Sequence, residues 1–233
     1  MARLFDRNMF IMLLAIMVGV ILITFFVADI VNRSAIDELK SEHSTEIEKI
    51  ESDNENFTSN FIKANINLDR AREDRAYGTY HFDLAFLWYQ SVLSEKNITN
   101  FELYKSRGID NCTNAMPKYN NSYNNFDLAK EDFSKIKSYT KNEKYLEILD
   151  IYVNLTTVGS KLTNLMYNAT YYLKYLIENL IFDIENGTVI YQINVSLELG
   201  LFYEILEQIE DLETEYDNIQ KALDEYEFFE EER

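Results

Sequence analysis

From Tyr145 to Leu180 the apolar positions alternate steps of three and four residues without a slip: Tyr145, Ile148, Tyr152, Leu155, Gly159, Leu162, Met166, Ala169, Leu173, Leu176 and Leu180. At 3.6 residues per turn this spacing returns each side chain to one helix face. A helix cannot bury such a stripe alone, so the pattern demands partner helices. Phe202, Ile205, Ile209, Leu212, Tyr216, Ile219, Leu223 and Tyr226 repeat it near the C-terminus. Ile109, Cys112, Met116, Tyr119, Tyr123, Phe126, Ala129, Phe133 and Ile136 are nearly as regular, and Pro117 on their flank predicts a kink or break. Phe57, Phe61, Ala64, Leu68 and Ala71 open a further stripe. It leads into Tyr80–Leu93, which is apolar on most faces and reads as the centre of the fold, with Trp88 its largest side chain.

Turn signals between these stripes are short: Ser94–Thr99, Thr140–Asn142, and Asp183–Thr188 with its Asn186-Gly187 pair. Short connections join antiparallel neighbours. The reading is all-α: an elongated, coiled-coil-like, up-down four-helix bundle with helices over 33–93, 98–139, 143–183 and 188–229. Six Gly and one Pro supply too little turn chemistry for a many-stranded fold. No 34-residue self-similarity points to a helical-hairpin array.

Ahead of the stripes, Phe10–Ala28 carries no charge. At about 1.5 Å per residue it spans roughly 29 Å, close to the hydrocarbon thickness of a bilayer. Small residues at a signal-peptide cleavage spacing are missing, since Phe26 precedes Ala28 and Arg33 precedes Ala35. The expectation is one retained transmembrane helix. Arg3, Arg7 and the amino terminus against Arg33 and Lys40 lean slightly toward an inside N-terminus. Ala15 and Gly19 form a small-xxx-small pair that suits close packing of two spans, although ordinary lipid-facing residues read the same way. The expected organisation is a short cytoplasmic tail over 1–9, a signal-anchor helix over 10–31, a charged helical stalk over 32–56 and a bundle ectodomain over 57–233.

The side on which the bundle lies is argued from acceptor tripeptides. Asn-x-Ser/Thr occurs at Asn32, Asn56, Asn97, Asn111, Asn120, Asn154, Asn168, Asn186 and Asn194. Composition would give roughly two or three by chance for this N-glycosylation motif. All nine follow the apolar run, where an N-in anchor places the chain outside the cell or in a lumen. Asn111, Asn154 and Asn168 each precede a core position by one residue, which puts them on an outward flank. With a single cysteine, the chain lacks the paired thiols of small eukaryotic ectodomains, so the expectation is an archaeal surface. Cys112 lies on the apolar stripe and reads as a buried thiol; the alternative is an intermolecular disulfide.

Forty acidic against 22 basic residues give a net charge of −18, which repels a nucleic-acid backbone. Nucleic acid is excluded as an expected partner. His43 and His81 stand without partners at metal-ligand spacing, and carboxylate pairs such as Glu204 with Glu207 lack the Glu-x-x-His of a bundle metal site. No phosphate loop, nucleophile elbow or calcium loop is present. Neither catalysis nor a cofactor or metal is expected. The tyrosines at 167, 171, 172 and 175 read either as seam filling or as a recognition cluster. Glu225–Arg233 sets acid against the helix macrodipole and is expected to fray.

The anchor-plus-bundle layout resembles in outline the extracytoplasmic sensing modules of chemoreceptors and kinases, without a shared motif. Two functions follow as expectations. The first is a non-enzymatic, glycosylated cell-surface bundle, held in the lipid bilayer by one span and acting as interaction module or spacer through a protein partner or self-association. The alternative is a ligand-sensing or solute-capturing subunit of a larger membrane complex. A pocket with convergent polar groups between the helices would favour the alternative, and a continuously packed seam the first.

Overall fold

A computed structural model describes the backbone of residues 2–226 and the side chains of residues 40–226 except Glu42. Four helices carry the fold: α1 (Ala2–Leu93), α2 (Ile98–Ile136), α3 (Glu143–Glu178) and α4 (Ser196–Asp224). The chain divides into two compact units, 1–54 and 55–233. Among the described residues no helix is long and apolar enough to cross a membrane. The expected span over 10–31, with Ala15 and Gly19, and the side chain of Asn32 lie outside the residues whose side chains are described. In the first unit α1 is solvated from Lys40 onward, with Ile47 and Ile50 exposed.

Within 55–233 the helices form an up-down bundle whose direction is written in its cross-links. Lys63 reaches Asp132 at 2.9 Å and Lys118 reaches Asp74 at 2.9 Å, so α1 and α2 run antiparallel. Ser160 donates to Asp127 and Lys137 pairs with Asp150, which sets α3 antiparallel to α2. Arg72 meets Gln220 and Phe86 meets Phe202, closing α4 against α1. Across the diagonals Phe61 meets Tyr152 and Phe126 meets Tyr216. Asn97 and Asn142 cap α2 and α3, each accepting two backbone N–H groups at its helix N-terminus.

The stripe from Ile148 to Leu180 is buried or half-buried as its spacing predicts, and Phe202, Ile209 and Tyr216 anchor α4. Three expectations need correction. Helix α3 stops at Glu178 and α4 begins only at Ser196, because 180–191 is a β-hairpin of β1 (Leu180–Asp183) on β2 (Thr188–Tyr191). Leu180 is fully buried, as the heptads demand, but from a strand. Aromatic and β-branched residues favour pairing there. Gly187 takes φ +62°, and the Asp183 carboxylate accepts the backbone N–H groups of Glu185 and Asn186 to hold the turn.

Second, α2 continues through Pro117, which is exposed, so the missing ladder bond falls on the solvent side. Third, Trp88 is half-buried on the α1–α2 flank, stacked on Tyr104 with centroids 5.2 Å apart, while Tyr80, Leu87 and Leu93 are exposed. Tyr80–Leu93 is therefore one wall of the bundle rather than its centre. The predicted fraying end beyond Tyr226 lies outside the described residues.

Three glycines allow the helices to close, Gly108 of α2 with its Cβ position 2.9 Å from Ile177 Cδ1 of α3 among them. A Cβ on Gly159 would stand 2.6 Å from the Phe126 ring, and one on Gly78 would stand 2.7 Å from the Tyr119 ring. Gly200 of α4 faces open space. Gly159→Ala is predicted to destabilise by about 1–3 kcal/mol through overpacking, exceeding its helix-propensity gain of about 1 kcal/mol. Gly200→Ala keeps that gain, so denaturant midpoints should shift in opposite directions for the two variants.

Candidate interaction surface and modification sites

The helices and the hairpin decide where each acceptor asparagine stands. Asn56, Asn120 and Asn154 lie on exposed helix faces, and Asn111 and Asn168 are half-buried. Asn97, Asn186 and Asn194 are exposed outside the helices, in the α1–α2 connection, the hairpin turn and the segment before α4. The Ser or Thr two residues on differs more sharply. Ser122, Thr156 and Thr170 are fully buried, whereas Thr99, Thr188 and Ser196 are exposed.

Each buried hydroxyl has a structural partner. Ser122 donates to the Ala71 carbonyl at 2.7 Å, joining α2 to α1, while Thr156 and Thr170 donate to carbonyls one turn back in α3. Asn111 is also engaged on both sides of its amide: Nδ2 donates to the Arg107 carbonyl, and Oδ1 lies 3.0 Å from His81 Nδ1. His81 thus binds a neighbour across the α1–α2 seam, while exposed His43 lies 3.8 Å from Glu46. Among the described residues no group of three or more His, Cys, Asp or Glu is arranged to hold a metal ion.

Cys112 has no accessible surface, and burial pushes its thiol up to about 12. Such a thiol reaches neither a second copy nor a reagent without local opening. Of the tyrosine group, Tyr167, Tyr172 and Tyr175 pack partly against the core and Tyr171 is exposed.

On the outside of the bundle, α3 and α4 enclose a groove of about 770 Å³. Ile151, Ile219 and Ala222 give it an apolar floor; Asp150, Asp211 and Glu215 ring it with carboxylates, and Asn154 stands at its margin. The stripe spacing legible in the sequence marks Ile219 as seam-facing but leaves Ile151 and Ala222 off the stripe, so this groove was not foreseen. Lys137 pairs with Asp150, so Asp211 and Glu215 carry the groove's negative charge beside the neutral Asn154, Thr214 and Asn218.

A polar cluster links α1 and α4 further along. The Arg75 guanidinium lies 4.2 Å from the Tyr216 ring centroid, and its buried Nη1 has no hydrogen-bond partner among the described residues. Desolvation pushes Glu213 above the ordinary glutamate range, with Arg75 opposing the shift and Asp217, Asp83 and Glu210 adding to it. The folded state therefore holds the Glu213 proton more tightly than the unfolded chain does. That contribution to stability is complete below the unfolded value and is lost as pH rises through the folded one.

Two outcomes are predicted. In the native protein Cys112 should resist maleimide labelling at pH 7 and become reactive only after denaturation. Glu213→Gln should raise the denaturation midpoint at pH 7, with the gain shrinking as pH falls through the raised titration range of Glu213.

The chain matches no family model, and no curated protein or solved structure is similar to it.

Proposed function

We propose that this chain is a non-enzymatic, N-glycosylated helical bundle of a cell surface, held in the membrane by one span over 10–31. In this reading the N-terminus is inside, the stalk and bundle are extracytoplasmic, and the bundle serves as an interaction module or spacer. The observation that carries it is the position of the acceptors. None of the eight whose side chains are described is buried; seven stand exposed or half-buried beside the packed seam, and half-buried Asn111 bonds His81 across the α1–α2 seam. A bundle can carry a bulky glycan only at such positions. The nine acceptors also follow the uncharged run Phe10–Ala28, as a signal-anchored chain requires.

The seam favours this reading over ligand sensing. Aromatic contacts follow one another from Phe57 with Tyr145, through Phe61 with Phe133 and Phe126 with Tyr216, to Phe86 with Phe202. The α3–α4 groove lies outside this packing and offers the bundle a place to receive a protein partner. The single cysteine supports an archaeal rather than a disulfide-rich eukaryotic surface.

Alkaline carbonate extraction of native membranes, followed by intact-mass measurement before and after deglycosylation, tests the proposal. The protein should remain in the membrane fraction, with a mass several kilodaltons above 27.5 kDa that falls on deglycosylation. Release by carbonate at the unmodified mass would overturn both anchor and orientation.

A further inference from the structure

Resting on that reading, we infer that glycan is transferred to the folded chain and that Asn97, Asn186 and Asn194, at one end of the bundle, are the acceptors used among those described. The transfer joins Asn Nδ2 to the anomeric carbon of a sugar carried on a polyprenyl phosphate or diphosphate. The N–C1 bond forms as the C1–O bond to phosphate breaks. The lipid phosphate leaves as an anion, one amide proton passes to a base of the transferase, and no electron carrier is needed.

The motif requires the hydroxyl two residues on because the transferase must engage amide and hydroxyl together. In a helix, residues i and i+2 lie about 200° apart around the axis, so a single active site cannot receive both. Asn56, Asn111, Asn120, Asn154 and Asn168 are all helical. For three of them the required hydroxyl, on Ser122, Thr156 or Thr170, is sealed inside the bundle.

The other three acceptors are folded differently. At Asn194 the Ser196 hydroxyl donates to the acceptor's own Oδ1 at 2.7 Å, so the two recognised groups already stand together. Asn97 has extended backbone, and its Oδ1 accepts from the Thr99 N–H at 2.8 Å. Glycan on Nδ2 leaves that oxygen free to cap α2. Asn186 donates through Nδ2 to Asp183 at 2.6 Å at the hairpin tip. A glycosylated amide keeps one N–H, enough to preserve this bond.

The same end of the bundle exposes Ile98, Ile184, Ile190, Ile193 and Leu197. The stretch from Gly187 to Val195 is uncharged in a chain of net charge −18 and includes the hairpin strand β2. Natural sheets protect such an edge with charge or cover. A glycan on Asn194 supplies cover within this uncharged stretch, and those on Asn186 and Asn97 flank it at the same end of the bundle. Asn154, left bare, keeps the α3–α4 groove open.

Glycopeptide mass mapping of the full-length protein from its native membrane decides the matter, each acceptor peptide being read as modified or unmodified. Asn97, Asn186 and Asn194 should be modified and Asn56, Asn111, Asn120, Asn154 and Asn168 unmodified. Thr188→Val and Ser196→Ala should each remove one glycan mass with the circular dichroism spectrum unchanged. Glycan at Asn120, Asn154 or Asn168, whose hydroxyls are reachable only before folding, or at helical Asn56 or Asn111 would overturn the inference yet leave the surface reading intact. No glycan at any acceptor would overturn both.

Discussion

The bundle depends on one contact that runs through all four helices. Gly159 on α3 leaves room for the Phe126 ring of α2, which meets Tyr216 of α4 edge-on at 6.2 Å, and the Arg75 guanidinium of α1 lies over the Tyr216 ring. A side chain at 159 would push Phe126 toward Tyr216 and loosen the whole layer, because a close-packed interior transmits displacement instead of absorbing it. Arg72 adds a hydrogen bond to the Tyr216 hydroxyl at 3.2 Å. The contact explains why α4, with only Phe202, Ile209 and Tyr216 among its buried residues, nevertheless holds its place.

Around that layer the seam mixes apolar and polar packing. Ser122 ties α2 to the α1 backbone and lies 3.4 Å from Thr163 of α3. Asp132, almost fully buried, is satisfied by Lys63 and Asn67 from α1. Buried polar groups of this kind contribute little net energy when paired but are costly when unpaired, so they penalise any slip of one helix along another. Apolar stripes repeated every seven residues would tolerate such a slip. The polar contacts and the glycine notches specify the register instead.

Much of this fold was legible in the spacing of apolar residues, and the errors have local causes. The α2 stripe read through Met116 and Tyr123 falls one position away from the side chains most buried, Ala115 and Ser122, because small and polar residues carry no hydrophobic signal. Trp88 was misplaced because its size marks it as core, whereas its ring packs against Tyr104 and the Arg107 guanidinium at the bundle edge. Of the candidate surface features, the acceptor asparagines were evident as motifs. The α3–α4 groove was not, since it forms from two helix flanks that no single stripe describes.

By itself the sequence determined that the chain is helical, where the α3 and α4 stripes run and which asparagines carry the acceptor motif, because helical period and tripeptide motif are properties of neighbouring residues. Only the tertiary structure decided that the last heptad position, Leu180, is reached by a strand. There Phe182 packs 5.8 Å from Phe101, the Tyr191 hydroxyl meets that of Tyr89, and Lys105 donates to the Leu180 carbonyl. Those contacts come from residues distant in the chain and outweigh the local helical pattern. For the same reason only the fold separates acceptors whose hydroxyls are sealed between helices from those left at the hairpin end, since burial depends on which helix packs over a residue.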